Sequence, residues 1–311
     1  MALFTALSEN DARRILAYSI VNQVGFMVVA VGIGTELAIN GAAAHAFAHI
    51  VYKALLFMSA GVVIYRTGMT RCSDLGGLFR TMPLTMVCGV IGALAISSFP
   101  LTSGFTTKTL ISVAAEQQGL ATVYFLLAAA SAGVFLHAGI KFPWFVFFQK
   151  DSGLRPKDAP WNMGAAMVFF AFLCIFLGVY PQPLWALLPY PMEYSAYEPG
   201  KVLFYLQLLL FSGLAFFLFL PLMKRTLTIS LDMDWFWRVV LFRLGNAVLN
   251  LGVALREAME VTVERVQQGP GARLVQLLDS SGALGRTWQI GTTALWIAVL
   301  LTVYVFLYYI D

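Results

Sequence analysis

Three side chains that can gain and lose protons stand in a row along one apolar stretch. The run reads His45-Ala-Phe-Ala-His49-Ile-Val-Tyr-Lys53-Ala-Leu-Leu-Phe, with the titratable members at i, i+4 and i+8. In a helix each four-residue step turns about 40° beyond a full turn, so the three share one face over roughly 12 Å. Histidine titrates near neutrality, and a row of such groups can pass protons. The plainer alternative is polar glue between helices, because a lone histidine on an apolar face is more often a hydrogen-bonded core residue. Two histidines and a lysine in one row favour the relay.

Lys108 and Lys141 also lie within apolar sequence. A charge at membrane depth costs roughly 3 kcal/mol or more and usually faces a polar interior or a water path. Lys108 follows Pro100-Leu-Thr-Ser-Gly104, which interrupts an otherwise helical pattern. Proline removes a donor and glycine tolerates unusual dihedrals, so the backbone is expected to open there. A broken helix can present free backbone groups and a charge to a pathway. A simple loop with Lys108 snorkelling to the interface fits the spacing equally well. His137 and Lys141 repeat the i, i+4 pairing just before Pro143, and Lys141 is near enough to a span end to snorkel. Ser19, Asn22 and Gln23 could line water or bond across helices. Haem ligation would need His45 or His49 to pair with His137, and nearby lysines disfavour it. Zinc binding by His45 and His49 lacks further ligands at sensible spacing. Cys72, Cys88 and Cys174 form no C-x-x-C pair and are expected as small buried residues. No cofactor and no metal is expected.

The elements that must position these groups are membrane helices. Of 311 residues, 59% are hydrophobic and 12% are charged, about half the charged share of an ordinary soluble domain. Spans of roughly 20 apolar residues are needed to cross a bilayer core about 30 Å thick. They are expected at 15–35, 40–65, 83–116 (interrupted), 120–149, 162–180, 202–223 and 287–309. The predicted fold is thus all-α, with about seven transmembrane helices, one of them discontinuous. All but four of the 20 Lys and Arg fall at the N-terminus or in alternate connections, and the net +4 charge reflects these loops rather than a nucleic-acid patch. The alternation predicts a cytoplasmic N-terminus and places Asp311 on the other side. The start Met1–Leu7 lacks a basic region, so no removable leader is expected. Within 235–267, Leu241, Leu244, Val248, Leu251, Leu255, Met259 and Val266 form one stripe, with Arg238, Arg243, Asn250, Glu257, Glu260 and Glu264 largely off it. That predicts an amphipathic helix at the membrane surface or against partner helices. Trp235, Phe236 and Trp237 suit the interface, and Gly269-Pro270-Gly271 ends the helix. The organisation expected is a membrane domain over 1–225, an amphipathic segment over 226–285 and a terminal span over 286–311.

The order of the motifs resembles a known family. Asp11-Ala-Arg-Arg14-Ile-Leu-Ala-Tyr18-Ser19 with Gln23-Val-Gly25, the His45…His49…Lys53-Ala-Leu-Leu-Phe run, Leu75-Gly-Gly-Leu78…Met82-Pro83 and Pro100…Ser103-Gly104-Phe105-Thr-Thr-Lys108 follow one another. This succession is similar to the antiporter-like subunits of Mrp-type sodium/proton antiporters and of respiratory complex I. Asp234-Trp-Phe-Trp-Arg238 resembles a segment that follows the core in the D-type Mrp protein. The resemblance implies that Lys108 is the terminal proton-transfer lysine at the break of a discontinuous helix. It also implies that Lys53 is a connecting lysine and that His45 and His49 bridge the two. Lys141 falls where members carry a basic residue of less settled role.

Departures from the family shape the expectation. Its members are far longer, and their first half supplies a glutamate and a lysine that nothing here matches. The chain is therefore expected to be the C-terminal half of such a protein, truncated or completed by another chain. Phe99-Pro100-Leu101 also has one proline where many members have two. The expected role is a proton-translocating subunit of a multisubunit Na+/H+ antiporter in a bacterial cytoplasmic (inner) membrane, not itself an enzyme. Its expected partners are other membrane subunits, protons, Na+ and lipid, and no nucleic acid. The alternatives are the same module in complex I or a membrane-bound hydrogenase, and a non-conducting membrane scaffold.

Overall fold

The structure is a computed structural model, which describes residues 9–220, 236–269, 271–280, 282, 285 and 290–308. The Met1–Leu7 segment, Asp234, Trp235, Arg286 and Asp311 lie outside the described residues, as do the side chains of Phe236, Trp237, Arg238 and Val266. Among the described residues, ten longer helices carry the architecture, with short helical turns between some of them. They are α1 (Ala12–Ile33), α2 (Glu36–Thr67), α3 (Pro83–Ile96), α4 (Ser103–Gln117), α5 (Ala121–Phe148), α6 (Trp161–Val179), α7 (Pro199–Phe219), α8 (Phe242–Gln268), α9 (Ala272–Leu278) and α10 (Ile290–Tyr308). They fall into two compact units divided between Met233 and Asp234.

Local sequence sets the ends of the first hairpin. Asp11 caps α1 by accepting from the backbone N–H of Arg13 (2.9 Å) and Arg14 (3.3 Å). Gly34 ends it at φ 75°, a left-handed conformation that glycine adopts without a Cβ penalty. Thr35 then caps α2 through Ala38 N–H at 3.2 Å. The two long helices therefore return antiparallel through a minimal connection.

In the first unit α2 is the hub, packing on α1, α3, α4 and α6. Leu55, Leu56, Val62 and Val63 of α2 join Phe142 and Val146 of α5 and Met167 and Cys174 of α6 in the main apolar core. All three cysteines are buried, and none is joined in a disulfide. Helix α5 keeps its course past Pro143 by opening into wide π-helical turns at Phe135–Lys141 and Trp144–Phe148. Such turns relieve the backbone bond that proline cannot make.

The expected interruption of the third span is present, and its mechanism differs from the expected one. The backbone leaves helix between Ser97 and Thr102, and the left-handed residues there are Ser98 (φ 62°) and Leu101 (φ 70°), neither of them glycine. Each such conformation costs about 1–3 kcal/mol and persists because its surroundings impose it. The glycines act by close approach instead. A Cβ on Gly104 would strike the Ala95 carbonyl, and one on Gly178 of α6 would strike Leu101 O. Every residue of α4 from Ser103 to Ala115 is buried, so this short helix is enclosed on all sides.

Seven helices among the described residues are long and apolar enough to cross a membrane. Six coincide with expected spans. The seventh, Val239–Arg265, is the segment expected to be amphipathic. Arg243 is its only charged residue before Arg256, and the charges gather towards its C-terminal end. Length and composition therefore qualify it as a span too. The α3–α4 pair is absent from the seven because each half is too short.

Between α5 and α6 the loop is pinned by charge. Asp151 accepts from Arg155 Nη2 (2.7 Å), Arg155 Nη1 (2.9 Å) and Gly153 N–H (2.9 Å), and from Arg80 at 3.3 Å. The hydrogen bonds from Arg155 and Gly153 and the two guanidinium charges hold its carboxyl well below the usual carboxylate range. A depressed folded-state pKa gives stability that is present at neutral pH and lost as pH falls through that folded value. Asp151→Asn should therefore flatten the dependence of Tm on pH at the acid end and leave it unchanged elsewhere. Gly104→Ala, which must displace backbone, should destabilise the protein by about 1–3 kcal/mol, read as a lower Tm in detergent.

Candidate functional site

Lys108 lies one turn inside α4 with no exposed surface. Its Nζ donates to the Ile96 carbonyl at 2.6 Å and sits 5.0 Å from the centroid of the Phe26 ring. Ile96 is the last residue of α3, where a helix leaves carbonyls without internal partners and carries partial negative charge. The break thus supplies an acceptor that an unbroken helix would have used itself.

Lys53 is buried between α2 and α1. Its Nζ donates to Leu16 O at 2.7 Å and to Ser19 Oγ, with the Phe57 ring 5.8 Å away. Ser19 Oγ in turn donates to Leu16 O at 2.7 Å. Among the described residues, the acceptors of both buried amines are neutral.

A separate hydrogen-bonded chain runs through the interior of the same helices. Gln23 Nε2 donates to Asn22 Oδ1 (2.9 Å), and Tyr52 OH donates to Gln23 Oε1 (2.8 Å). The Tyr52 hydroxyl lies 3.5 Å from His45 Nε2, at the limit of hydrogen-bond reach, and His45 Nδ1 is 3.0 Å from Thr107 Oγ1. Thr107 Oγ1 also bonds Ser103 O at 3.0 Å. The chain joins α1, α2 and α4 and ends at Thr107, the residue before Lys108. Because His45 has a hydroxyl at each ring nitrogen, its proton can rest on either side once those hydroxyls rotate.

The titratable row on α2 does not act as a single line of contacts. The turn accumulated over eight residues sends His45 towards α4 and Lys53 towards α1. His49, between them, is half-buried, its Nε2 has no partner, and its ring is 6.3 Å from that of His45 and 5.5 Å from that of Tyr52. His137, on α5, bonds Gly133 O through Nδ1 at 2.7 Å and buries an unpartnered Nε2. Lys141 is buried rather than snorkelling and donates to the Glu9 carbonyl at 2.7 Å. Tyr52 and Thr107 were missed by the titratable pattern. Tyr52 stands at i+7 from His45 on the same face, and Thr107 precedes Lys108, so spacing alone could have found the first.

Comparison with known proteins fits this geometry. Residues 1–137 match the family described as NADH:quinone oxidoreductase/Mrp antiporter, transmembrane. The matched stretch holds His45, His49, Lys53, Lys108 and His137, and Lys141 lies just past it. Among curated relatives, a probable K(+)/H(+) antiporter protein of the A/B type from Rhizobium meliloti (strain 1021) is 29% identical over 188 residues, covering 58% of this chain and 19% of the relative. NADH-ubiquinone oxidoreductase chain 5 of Dictyostelium discoideum is 36% identical over 186 residues, covering 55% and 26%. The match thus spans about a fifth to a quarter of those relatives. In the solved Mrp complex from Dietzia sp. DQ12-45-1b, one chain is similar in fold at TM-score 0.54 and 21% identity, over 59% of this chain and 42% of that one. A chain of the membrane-bound sulfane sulfur reductase, an archaeal respiratory membrane complex, aligns at TM-score 0.58 and 26% identity over 98% of this chain and 53% of that one. The seven long apolar helices among the described residues make this a multi-pass membrane protein.

The hydrogen-bonded chain makes a direct prediction. Tyr52→Phe removes the hydroxyl that Gln23 and His45 share and leaves buried polar atoms unpaired. It should cost about 1–3 kcal/mol of stability, measured as a drop in Tm. Gln23→Leu in the same background should recover part of that loss.

Proposed function

We propose that this chain is a proton-conducting part of a multisubunit cation/proton antiporter, with Lys108 and Lys53 as proton-exchanging groups and His45 and His49 between them. The observation that carries this reading is two amines buried against neutral acceptors in the helices that also hold the hydrogen-bonded chain Asn22, Gln23, Tyr52, His45 and Thr107. A buried ammonium without a counter-charge is costly. Structural glue needs only polarity, which serine or asparagine supplies at lower cost. A charge arriving at one amine alters how firmly the other holds its proton. Protons then pass as each group lends and regains one, with His45 switching its proton between Thr107 and Tyr52. His49 enters through water at its unpartnered Nε2. His137 and Lys141 extend the path along α5.

In this reading the membrane domain is 1–225, with 226–285 an interfacial segment and 286–311 a terminal span. The chain works with other membrane subunits, including one that supplies the first half of the antiporter-like fold. It resembles the D-type protein of Mrp antiporters, and the complex exchanges protons for Na+. A relative named as part of a K+/H+ antiporter makes K+ the natural competitor. The protein does not catalyse a chemical conversion itself. The clustering of Arg and Lys in alternate connections supports a cytoplasmic N-terminus in a bacterial inner membrane.

A second reading, the same module in a redox-driven pump, draws support from relatives named as NADH-ubiquinone oxidoreductase chain 5. Reconstituted complex discriminates the two. In the antiporter, an imposed Na+ or K+ gradient drives proton movement without an electron donor. Lys108→Ala and Lys53→Ala should each lower that flux about a hundredfold or more while the complex still assembles. Flux at the parental level in both variants, with assembly reduced, would instead mark the chain as a non-conducting scaffold.

A further inference from the structure

Helix α3 begins at Pro83 with no cap from its own sequence, since Met82 offers no side-chain acceptor. The missing cap comes from far along the chain. Asp158, in the loop before α6, accepts from Leu84 N–H at 2.8 Å, from Thr85 N–H at 3.3 Å and from Thr85 Oγ1 at 2.5 Å. These are the second and third residues of the helix, whose N–H groups a capping side chain serves. The Asp158 carbonyl is itself held, accepting from Arg66 Nε at 2.9 Å and Arg66 Nη2 at 2.7 Å. Arg66 lies in the last turn of α2, the helix that carries His45 and Lys53. One residue therefore ties the start of α3 to the end of α2.

The other end of α3 is Ile96, whose carbonyl receives the Lys108 amine. A helix transmits an axial shift along its whole length, because its hydrogen-bond ladder does not stretch. From Leu84 to Ile96 is roughly 18 Å at 1.5 Å per residue. Whatever fixes the height of Leu84 fixes the height of the Ile96 carbonyl. Ser59 Oγ, bonded to Thr85 O at 3.1 Å, holds the same end of α3 sideways against α2.

We propose that Asp158 is a positioning residue for the proton path, capping α3 at one end and thereby holding the Ile96 carbonyl against Lys108 at the other. This rests on the proton-path reading above, and the test separates the two. Asp158→Ala, Asp158→Asn and Lys108→Ala are compared in the assembled complex, reconstituted in vesicles, with flux normalised to complex present and measured across pH. Asparagine keeps one of the two acceptor oxygens that serve the α3 N–H groups, and alanine keeps neither. Hydrogen bonding around an exchanging amine sets the pH at which it changes charge, so Asp158→Ala should move the midpoint of the profile by about half a pH unit or more. Asp158→Asn should bring it back at least half-way towards the parental value. An unchanged midpoint in Asp158→Ala, even with reduced yield or Tm, overturns the positioning role, as does an Asn variant that behaves like Ala. Parental flux in Lys108→Ala overturns both the positioning role and the path itself.

Discussion

The bond from the Lys108 amine to the Ile96 carbonyl organises the first unit. A charge-bearing side chain with no exposure needs an acceptor, and inside a membrane protein the backbone is already committed to its own ladder. Ending α3 at Ile96 frees that acceptor. The break then has to be enforced, because Ser98 and Leu101 sit in conformations that cost energy for residues with a Cβ. Close packing enforces it. Ala95 presses on Gly104, Leu101 presses on Gly178 of α6, and α4 is sealed within its neighbours. The strained turn, the two glycines and the buried lysine form one device.

Helix α2 solves a second problem, serving two neighbours with one face. A spacing of four residues drifts steadily around a helix, so eight residues separate contacts with α4 from contacts with α1. His45 reaches Thr107 on α4, whereas Lys53 reaches Leu16 and Ser19 on α1. Tyr52, at i+7 from His45, closes the gap through Gln23. The family match and the buried chain meet in the same residues, although each rests on a different kind of observation.

The long helices were legible because apolar runs, Asp11, Thr35, Gly34 and Gly68 mark their limits locally. The break was legible from Pro100 and Gly104, but its cause was not. No local rule says that Ser98 and Leu101 will turn left-handed, since packing from α6 decides it. His45, Lys53 and Lys108 stood out because charge in an apolar run is rare. Thr107 did not, because a threonine in a helix is ordinary until something is known to face it. Asp158 is the hardest case: a cap normally adjoins its helix, and this one comes from the loop leading into α6. The segment 239–265 shows the opposite difficulty. Its composition permits both a span and a surface helix, and the pattern that suggested the second does not exclude the first.

The enclosure of α4 bears on how the chain is made. With three threonines, two serines and a lysine in fifteen residues, this helix has little affinity for lipid and is too short to bridge the bilayer alone. It has no lipid-facing side to justify leaving the insertion machinery. The wall that closes against its entrance includes Gly178, which the ribosome adds long after residue 117. During synthesis α4 must therefore wait, shielded by the translocon or by its earlier neighbours, until α6 emerges. Membrane integration of this unit is then a concerted event of several helices, not a succession of independent ones.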